Sequence, residues 1–381
     1  MGRPGLPGLG EAKVLEFHYA VPVEQTGWET QDRSGTVRFR WDYDAERAEL
    51  LALYDKGKRK QWDAADRIDW SLEIDPENPL QVPDEAVAIF GSAAWERMGP
   101  AERAEVRRHM VAWQFSQFLH GEQGALVCTA KIVQNVPDID AKFYGATQVM
   151  DEARHVEAYG RYLTKLGLAY PINRHLQALL DDVLTDSRWD ITYLGMQVLI
   201  EGLALAAFGL IRNQTGDPLA RALNAYVMQD EARHVMFGRH VLRAYYPELS
   251  AAEREEREEL CAEACWLMRD RFLAEEVWER LGLDVDEAIS FVRESELQVA
   301  FRSLLFTRIV PTLKDIGLFG PKVRQAFTEM GVIGFESVDL DGVMAEDERT
   351  AEEIDAARRA AAARLAARQA DVAATIATGA S

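Results

Sequence analysis

The sequence predicts an all-α protein built around a bundle of four long helices, and two observations lead to this prediction. The pentapeptide Asp-Glu-Ala-Arg-His occurs twice, at residues 151–155 and 230–234. A further glutamate, Glu122 or Glu201, lies 30 residues before the glutamate of each copy. On a helix, residues three positions apart share a face, so each pentapeptide directs a carboxylate and an imidazole toward one point.

The equal spacing fits two helical hairpins of the same size. From Glu122, a helical pattern runs about 13 residues to the helix-breaking segment 135–138, and about 13 more residues lead to Glu152. At about 1.5 Å per residue, both arms are roughly 20 Å long, so the two glutamates meet at one height. The segment 215–218, Thr-Gly-Asp-Pro, divides the second hairpin in the same way.

Four glutamates and two histidines are therefore expected to meet at mid-bundle: Glu122, Glu152, His155, Glu201, Glu231 and His234. Four carboxylates buried together would carry a charge of about −4, at a cost that needs compensation. Two divalent cations cancel that charge, so we predict that these six side chains are metal ligands. Carboxylate and imidazole donors without thiolate favour iron or manganese, although affinity order alone does not exclude zinc or copper.

The other polar residues of the pentapeptides are predicted to support the histidines. A metal-bound imidazole usually donates its second N–H to a carboxylate or carbonyl group. We expect Asp151 of the first hairpin to support His234 of the second, and Asp230 to support His155 in return. Each pentapeptide also supplies an arginine that would neutralise these aspartates, Arg154 and Arg233. Surface salt bridges are the alternative explanation for the four residues.

Composition excludes several classes of function. The chain has 381 residues, of which 48% are hydrophobic, and a formal net charge of −20, which argues against binding to nucleic acid or to an anionic membrane surface. It contains no uninterrupted apolar run of 18 residues, and its Gly/Pro-rich first residues do not resemble a signal peptide. Three cysteines give no disulfide framework. We therefore expect a cytoplasmic protein.

The expected organisation is a single all-α domain with an irregular N-terminal arm. The arm covers residues 1–85, the four-helix core 86–250, additional helices 251–340, and an Ala/Arg-rich tail 341–381. The arm contains two β-like runs, 13–19 and 36–41, and a helix over 44–56 that Gly57 should end. The core helices are predicted at 100–134, 138–166, 189–213 and 218–246, and the later helices at 251–281, 285–313 and 321–330.

The doubled motif, over residues 113–241, resembles the oxygen-activating non-haem diiron carboxylate proteins of the ferritin-like superfamily. The motif is most similar to hydroxylase subunits of soluble bacterial multicomponent monooxygenases, with acyl-CoA epoxidases and the ribonucleotide reductase small subunit as relatives. The resemblance implies two iron ions, cycling between Fe²⁺ and Fe³⁺, at the six predicted ligands, with manganese as an alternative. One glutamate, Glu201 or Glu231, would bridge the ions and shift during turnover.

The same resemblance implies a function. O2 would be the co-substrate of a monooxygenase that hydroxylates a small, largely apolar organic molecule. N-oxygenation, epoxidation and desaturation are alternatives on the same scaffold, and a ferroxidase, a metal-storage protein or a tyrosyl-radical protein are further ones. Because no flavin, nicotinamide or iron–sulfur motif is present, a separate electron donor, a ferredoxin or a reductase, is expected. A homodimer is left open.

Three positions depart from or bear on these families. Leu205 stands where the methane and toluene monooxygenase hydroxylases have a threonine. Val227 stands where amine N-oxygenases of the p-aminobenzoate type have an additional histidine, which argues against that group. Tyr159 lies where the reductase subunit has its radical tyrosine, although core packing is the simpler explanation. Residues within two turns of the ligands would line a substrate pocket, with core packing as the alternative: Leu126, Gln197, Ala204, Leu205 and Phe208.

Overall fold

The computed structural model of the chain describes residues 28–32, 35–39 and 47–379, with side chains from 47 to 370. A two-stranded antiparallel sheet, β1 (Trp28–Asp32) and β2 (Gly35–Phe39), precedes the helices. The helices before and within the core are α1 (Ala48–Arg59), α2 (Ala64–Arg67), α3 (Ala93–Arg97), α4 (Pro100–Asn135), α5 (Ile139–Leu166), α6 (Arg174–Thr185), α7 (Trp189–Tyr193), α8 (Glu201–Gln214) and α9 (Pro218–Tyr245). Those after it are α10 (Ala251–Asp270), α11 (Glu275–Arg280), α12 (Val285–Glu294), α13 (Glu296–Leu304), α14 (Ile309–Asp315), α15 (Pro321–Glu329) and α16 (Leu340–Gly379).

The first core hairpin, α4 and α5, begins and ends close to the predicted positions. The Asp138 carboxylate accepts hydrogen bonds from the first backbone N–H groups of α5, as expected of an N-cap. Gly167 ends α5 with a φ of 70°, a conformation that glycine adopts without strain. In the second hairpin, Asp217 caps α9 and Pro218 occupies its first turn. The all-α bundle predicted from the sequence is confirmed.

The third core helix is continuous over Trp189–Gln214 but changes its winding in the middle. Residues Leu194–Ile200 form a π-helix between α7 and α8, directly before Glu201. π-helical turns are rare and concentrate at functional sites. Among the described residues, Trp189–Gln214 is also the one helix that is long and apolar enough to span a membrane. Of the most apolar 18-residue stretch of this helix, 89% is buried inside the protein, as in a core helix.

Two helices predicted after the core are broken in the structure. The predicted helix over 251–281 stops at Asp270, and a 3-10 turn, Arg271–Leu273, leads to Ala274, which has a φ of 55°. The predicted helix over 285–313 divides into α12, α13 and α14. The break between α12 and α13 is stabilised by Arg302, whose guanidinium donates to carbonyl groups in the last turn of α12. Apolar residues continue at helical spacing across these breaks, which is why the sequence predicted continuous helices.

The N-terminal arm differs from the prediction in the end of its helix and in strand β1 (Trp28–Asp32), which lies in neither of the predicted β-like runs. Helix α1 continues past Gly57 to Arg59. A Cβ atom at Gly57 would lie 3.1 Å from Thr147 Oγ1, so this glycine allows α1 to approach α5 closely. The β-like run 36–41 largely coincides with β2, whereas the run 13–19 lies outside the described residues.

The C-terminal helix α16 is anchored on the core by buried charges. Asp347, which is 2% exposed, accepts hydrogen bonds from Arg212 of α8 (3.1 Å) and from Arg308 (2.6 Å). Further along, Glu348 forms an ion pair of 2.6 Å with Lys56 of α1. The first turns of the helix predicted as a tail are therefore packed against the bundle.

Candidate metal centre

The structure brings the six predicted ligands together in the middle of the four core helices. All six are between 0 and 5% exposed. Single donor atoms of Glu122, Glu152, His155 and Glu231 lie within 4.8 Å of one another, and so do those of Glu152, Glu201 and His234. Glu152 belongs to both groups, so the cluster has two adjoining halves.

Two of the glutamates lie between the two imidazole rings. Glu152 is 3.4 Å from His155 Nδ1 and 3.1 Å from His234 Nδ1. Glu231 has the corresponding distances of 3.0 and 3.4 Å. Glu122 lies only on the His155 side, at 3.2 Å from Nδ1, and Glu201 belongs only to the group with His234. The arrangement therefore favours Glu152 and Glu231 as the carboxylates shared between two ions.

The other nitrogen of each imidazole faces an aspartate from the opposite hairpin. His155 Nε2 is 3.1 Å from Asp230 Oδ2, and His234 Nε2 is 3.3 Å from Asp151 Oδ2. This is the crossed arrangement expected from the sequence. It leaves Nδ1 of both rings free to face the carboxylates, which is the orientation a metal-bound imidazole requires.

The two arginines of the pentapeptides form ion pairs with these aspartates. Arg154 contacts both Asp151 and Asp230, the latter at 2.8 Å. Arg233 contacts Asp230 and lies 3.4 Å from Asp151. Burial raises the pKa of Asp230, but Arg233 and the other cations nearby overcome this and hold it well below its usual value. Both aspartates are fully buried, so these contacts are not the surface salt bridges considered as the alternative.

Residues from the N-terminal arm complete this layer, and the sequence did not predict their roles. Trp62 Nε1 donates a hydrogen bond of 2.7 Å to Asp230 Oδ2, and the Gln61 amide donates one of 2.7 Å to Asp151 Oδ1. Gln61 also accepts one of 2.7 Å from Arg154. Two consecutive residues of the connector between α1 and α2, residues 60–63, therefore reach both aspartates. Nothing in the sequence indicated these two partners.

A further residue missed by the sequence analysis lies beside the ligands. The Gln148 amide nitrogen is 2.9 Å from Glu152 Oε1 and 2.9 Å from Glu201 Oε1. Gln148 is fully buried and lies one helical turn before Glu152, on the same face of α5. That spacing was the available clue.

The electrostatics of the cluster suit cations. Burial, together with the neighbouring Glu231, raises the pKa of Glu122 well above its usual value, and burial likewise raises that of Glu201. Burial also raises the pKa of Glu152, but the two histidines outweigh it and lower the pKa overall. Repulsion among carboxylates is the cost that bound cations would remove.

Several buried oxygen and nitrogen atoms of the cluster form no hydrogen bond. They are Glu152 Oε2, Glu201 Oε2, both carboxylate oxygens of Glu231, and His234 Nδ1. Buried polar atoms without a partner are costly, and here they converge on a common centre. Carboxylate oxygens and imidazole nitrogens are also the donor set that iron and manganese prefer. The cluster therefore fits a dimetal site.

A small cavity of about 20 Å³, enough for about one water molecule, adjoins the cluster. Three glutamates of the cluster line it together with residues of α4, the π-helix, α8 and the turn after α10: Gln117, Phe118, Gly121, Glu122, Ala125, Met196, Ile200, Glu201, Ala204, Phe208, Glu231 and Arg271. Of the predicted pocket residues, Ala204 and Phe208 line this cavity. Leu126, Leu205 and Gln197 do not. Gln197 instead packs near Gly238, where a Cβ atom would lie 2.7 Å from Gln197 Cβ.

Arg271 is the unexpected residue of this cavity. It is 4% exposed, and burial lowers the pKa of its guanidinium to about 10. Its guanidinium lies over the Phe272 ring, 4.8 Å from the ring centre, and among the described residues no carboxylate or other hydrogen-bond acceptor is paired with it. Nothing in the sequence indicated this position, because Arg271 lies where the predicted helix over 251–281 is broken.

Tyr159 lies on the cavity side of the bundle, in an aromatic cluster. Its hydroxyl donates a hydrogen bond of 3.2 Å to Asn224 Oδ1. Its ring packs against Phe115, Phe118 and Phe208. These contacts account for the residue as part of the core.

The fold and the cluster define the class: the protein is a ferritin-like dimetal-carboxylate oxidoreductase, and the predicted superfamily is confirmed. Residues 44–317 match the family described as P-aminobenzoate N-oxygenase AurF. The chain therefore belongs to that family. Val227, in place of an additional histidine, argued against membership of this group, and that inference was wrong. One ligand position does not define the family, because the match extends over 44–317.

Several solved structures are similar to the chain. A protein with aldehyde deformylating oxidase activity from Synechococcus is 17% identical, with 58% of this chain and 96% of that chain covered and a TM-score of 0.43. An R2-like ligand-binding oxidase variant with a Mn/Fe cofactor is 19% identical, with coverage of 71% and 94% and a TM-score of 0.45. The R2-like ligand-binding oxidase from Sulfolobus acidocaldarius is 17% identical, with 73% and 93% covered and a TM-score of 0.44. No curated protein sequence matches the chain significantly.

Proposed function

We propose that the protein is an O2-dependent N-oxygenase of a small amine that also carries a carboxylate, with two iron ions held by Glu122, Glu152, His155, Glu201, Glu231 and His234. The family suggests the reaction, and the observation that supports the substrate class is the unpaired guanidinium of Arg271 in the cavity beside the cluster. Manganese in one or both positions would suit the same donors.

A buried arginine without an acidic partner requires explanation. Desolvating a charged group costs several kcal/mol unless an opposite charge compensates it. With a pKa of about 10, the guanidinium still carries its charge at neutral pH. Guanidinium groups bind carboxylates through two parallel hydrogen bonds. An anionic substrate group would therefore supply the missing partner of Arg271.

The remaining walls of the cavity suit the rest of such a substrate. The cavity is about 20 Å³, so its side chains would have to move apart to admit an aromatic ring; Phe118, Ala204 and Phe208 would then offer that ring an apolar surface. Glu122 and Glu231 line the same cavity, so an amine at the far end of the ring would face the metal ligands. p-Aminobenzoate, the molecule in the family's description, has this combination of groups.

The proposed reaction inserts one oxygen atom of O2 into an N–H bond of the amine to give a hydroxylamine. The other oxygen atom takes up two electrons and two protons and leaves as water. The four glutamates and two histidines of the cluster would hold the two ions, whose chemistry would be the activation of O2. The chain's own residues exclude bulk water from the buried cluster, orient the imidazoles through Asp151 and Asp230, and hold the substrate through Arg271.

The two electrons must come from a partner. We propose a separate ferredoxin or reductase as the donor, because the sequence has no flavin, nicotinamide or iron–sulfur motif. We also propose that the protein works in the cytoplasm. Its three cysteines, Cys128, Cys261 and Cys265, are buried and unpaired, which is typical of proteins in a reducing compartment.

Hydroxylation of an apolar substrate is the second candidate function, favoured by the apolar lining of the cavity. A ferroxidase or storage role is less well supported, because the cation of Arg271 in the cavity would repel incoming Fe²⁺. A radical role for Tyr159 has no observation in its favour beyond its position.

The test supplies the iron-loaded protein with O2, a chemical reductant and 4-aminobenzoate, and identifies products by mass spectrometry. Oxygenation at nitrogen supports the proposal, and oxygenation at ring carbon supports the second candidate. Replacing Arg271 with methionine should raise KM for 4-aminobenzoate about 10- to 100-fold, since a hydrogen bond to a charged group contributes about 1.5–3 kcal/mol. The KM for aniline, which lacks the carboxylate, should change little in the same variant.

Arg269 provides the matched control. It lies two residues earlier, is paired with Asp270, and does not line the cavity. Arg269→Met should therefore leave both substrates unchanged. An equal increase in KM for 4-aminobenzoate and for aniline in Arg271→Met would contradict the proposed role of the guanidinium.

A further inference from the structure

The two halves of the cluster are related by an internal shift of the sequence that is broken at one position. A displacement of 79 residues converts each ligand of the first hairpin into its counterpart in the second, for example Glu152 into Glu231. One turn before these two glutamates, the first hairpin has Gln148 and the second has Val227. Both are fully buried, so the difference lies inside the protein, beside the ligands.

One half of the cluster receives both hydrogen bonds of Gln148, whereas the other half shares only Glu152. The Gln148 amide donates to Glu152 and to Glu201, at 2.9 Å each, and these are the two carboxylates grouped with His234. The aliphatic side chain of Val227 can form no such bond. Among the described residues, the one hydrogen-bond contact of the Glu122 carboxylate is His155 Nδ1, at 3.2 Å.

We propose that Gln148 is a positioning residue that makes the two metal positions unequal, so that the half formed by Glu152, Glu201 and His234 binds its ion first and more tightly. This inference rests on the proposed dimetal site. It adds an order of binding that neither the family nor the ligand set implies.

The physical reason is preorganisation. Two carboxylates that converge without a cation repel each other and tend to move apart. An amide N–H₂ group that donates one hydrogen to each holds them at a fixed separation while leaving their other oxygens free. Glu152 Oε2 and Glu201 Oε2 are indeed without partners. A ligand set held in place before binding loses less conformational freedom when the ion arrives.

The other half has a different environment. Neither Glu122 nor Glu231 of this half accepts a hydrogen bond from an amide, whereas Glu201 of the half with His234 does. An ion bound there would be held by less constrained carboxylates. The cavity does not separate the halves, because Glu122, Glu201 and Glu231 all line it. The tighter half would then keep its ion while the other half exchanges ligands.

The test measures binding of Co²⁺ to the metal-free full-length protein by calorimetry and visible absorption, without any assay of activity. The wild type should show two separate steps. Gln148→Met, which keeps the size but removes the amide, should weaken the tight step about 10- to 100-fold, the usual effect of removing a group that orients a ligand. Gln148→Asn is too short to reach both carboxylates and should weaken the same step.

Three further variants assign the steps. Val227→Gln, the matched substitution at the mirrored position, should leave the tight step unchanged. Glu201→Ala should abolish the tight step, whereas Glu122→Ala should abolish the weak one. Circular dichroism verifies that each variant is folded, and Gln148→Asn serves if Gln148→Met is not.

The outcomes separate this inference from the proposed function. A wild type that binds no Co²⁺ and no Fe²⁺ contradicts the dimetal site itself. Two ions bound in one indistinguishable step, or a tight step that survives the loss of the Gln148 amide, contradict only the inequality. A tight step lost in Glu122→Ala instead of Glu201→Ala would also overturn it, because the order of binding would be reversed.

Discussion

Trp62 offers a measurable link between the N-terminal arm and the metal centre. Its indole N–H donates at 2.7 Å to Asp230 Oδ2, an atom that also lies 2.8 Å from an Arg154 nitrogen and 3.1 Å from His155 Nε2. A hydrogen bond to a charged group contributes about 1.5–3 kcal/mol to stability. Because two other donors remain at this oxygen, Trp62→Phe should lose an amount near the lower limit, about 1.5 kcal/mol. The smaller ring adds roughly 1 kcal/mol for lost packing.

Trp70→Phe is the matched control for that prediction. Trp70 is also half-buried in the arm, and its indole donates at 2.7 Å to the backbone carbonyl of Ala64, which is uncharged. The packing loss should be similar, whereas a neutral hydrogen bond contributes only about 0.5–1.5 kcal/mol. Urea denaturation of the metal-free protein, followed by circular dichroism, measures both variants.

Taking about 1 kcal/mol, the middle of the neutral range, for the Trp70 contact, the expected difference in favour of the Trp62 contact is about 0.5 kcal/mol. The Trp62→Phe protein should also bind Fe²⁺ about tenfold more weakly, since the aspartate orients a metal ligand. If Trp70→Phe is equally or more destabilised, or if metal affinity is the same in both variants, the contact with Asp230 does not have the role inferred from its geometry.

Three further predictions concern packing and charge away from the cluster. Gly195→Ala would place a Cβ 2.2 Å from Val183 Cγ2, a stiff branched side chain, and should cost about 1–3 kcal/mol, whereas Gly160→Ala has open space and should gain roughly 0.5–1 kcal/mol; thermal melts compare them. Asp347→Asn would leave two buried arginines without their carboxylate and should cost about 3–5 kcal/mol, with faster proteolysis of α16. Burial raises the pKa of Glu348, but two lysines outweigh it and hold the pKa below its usual 4.5. The ion pairs of Glu348 therefore stabilise the fold above pH 4.5, and this stabilisation disappears as the pH falls through the lower folded pKa. Glu348→Gln should reduce stability at neutral pH and also reduce the loss of stability below pH 4.5, as measured by urea denaturation across pH.

The sequence predicted most of the core because the relevant information is local. The caps at Asp138 and Asp217 and the glycine at Gly167 specify where helices begin and end. The repeated pentapeptide places a carboxylate and an imidazole on one face, and the equal arm lengths bring the upstream glutamates to the same height. These rules need no tertiary information, which is why the convergence of the six side chains could be predicted.

What the sequence could not provide depends on contacts between distant segments. Arg271 reaches the cavity because the chain turns at Ala274 in a left-handed conformation that no sequence pattern indicated. Gln61 and Trp62 find their aspartates only after the connector has packed on the bundle. Gly57 was interpreted as a helix end, although its actual role is a close approach between two helices. Each error replaced a tertiary requirement with a local rule.

The adjacency of Gln61 and Trp62 has a kinetic consequence. Because one short connector contacts the aspartates of both hairpins, a single local unfolding event there would release both supports at once. Amide hydrogen exchange in the connector and the rate at which ions escape to a chelator should then share one opening step. The lifetime of the loaded centre would be governed by this small segment rather than by global unfolding of the bundle.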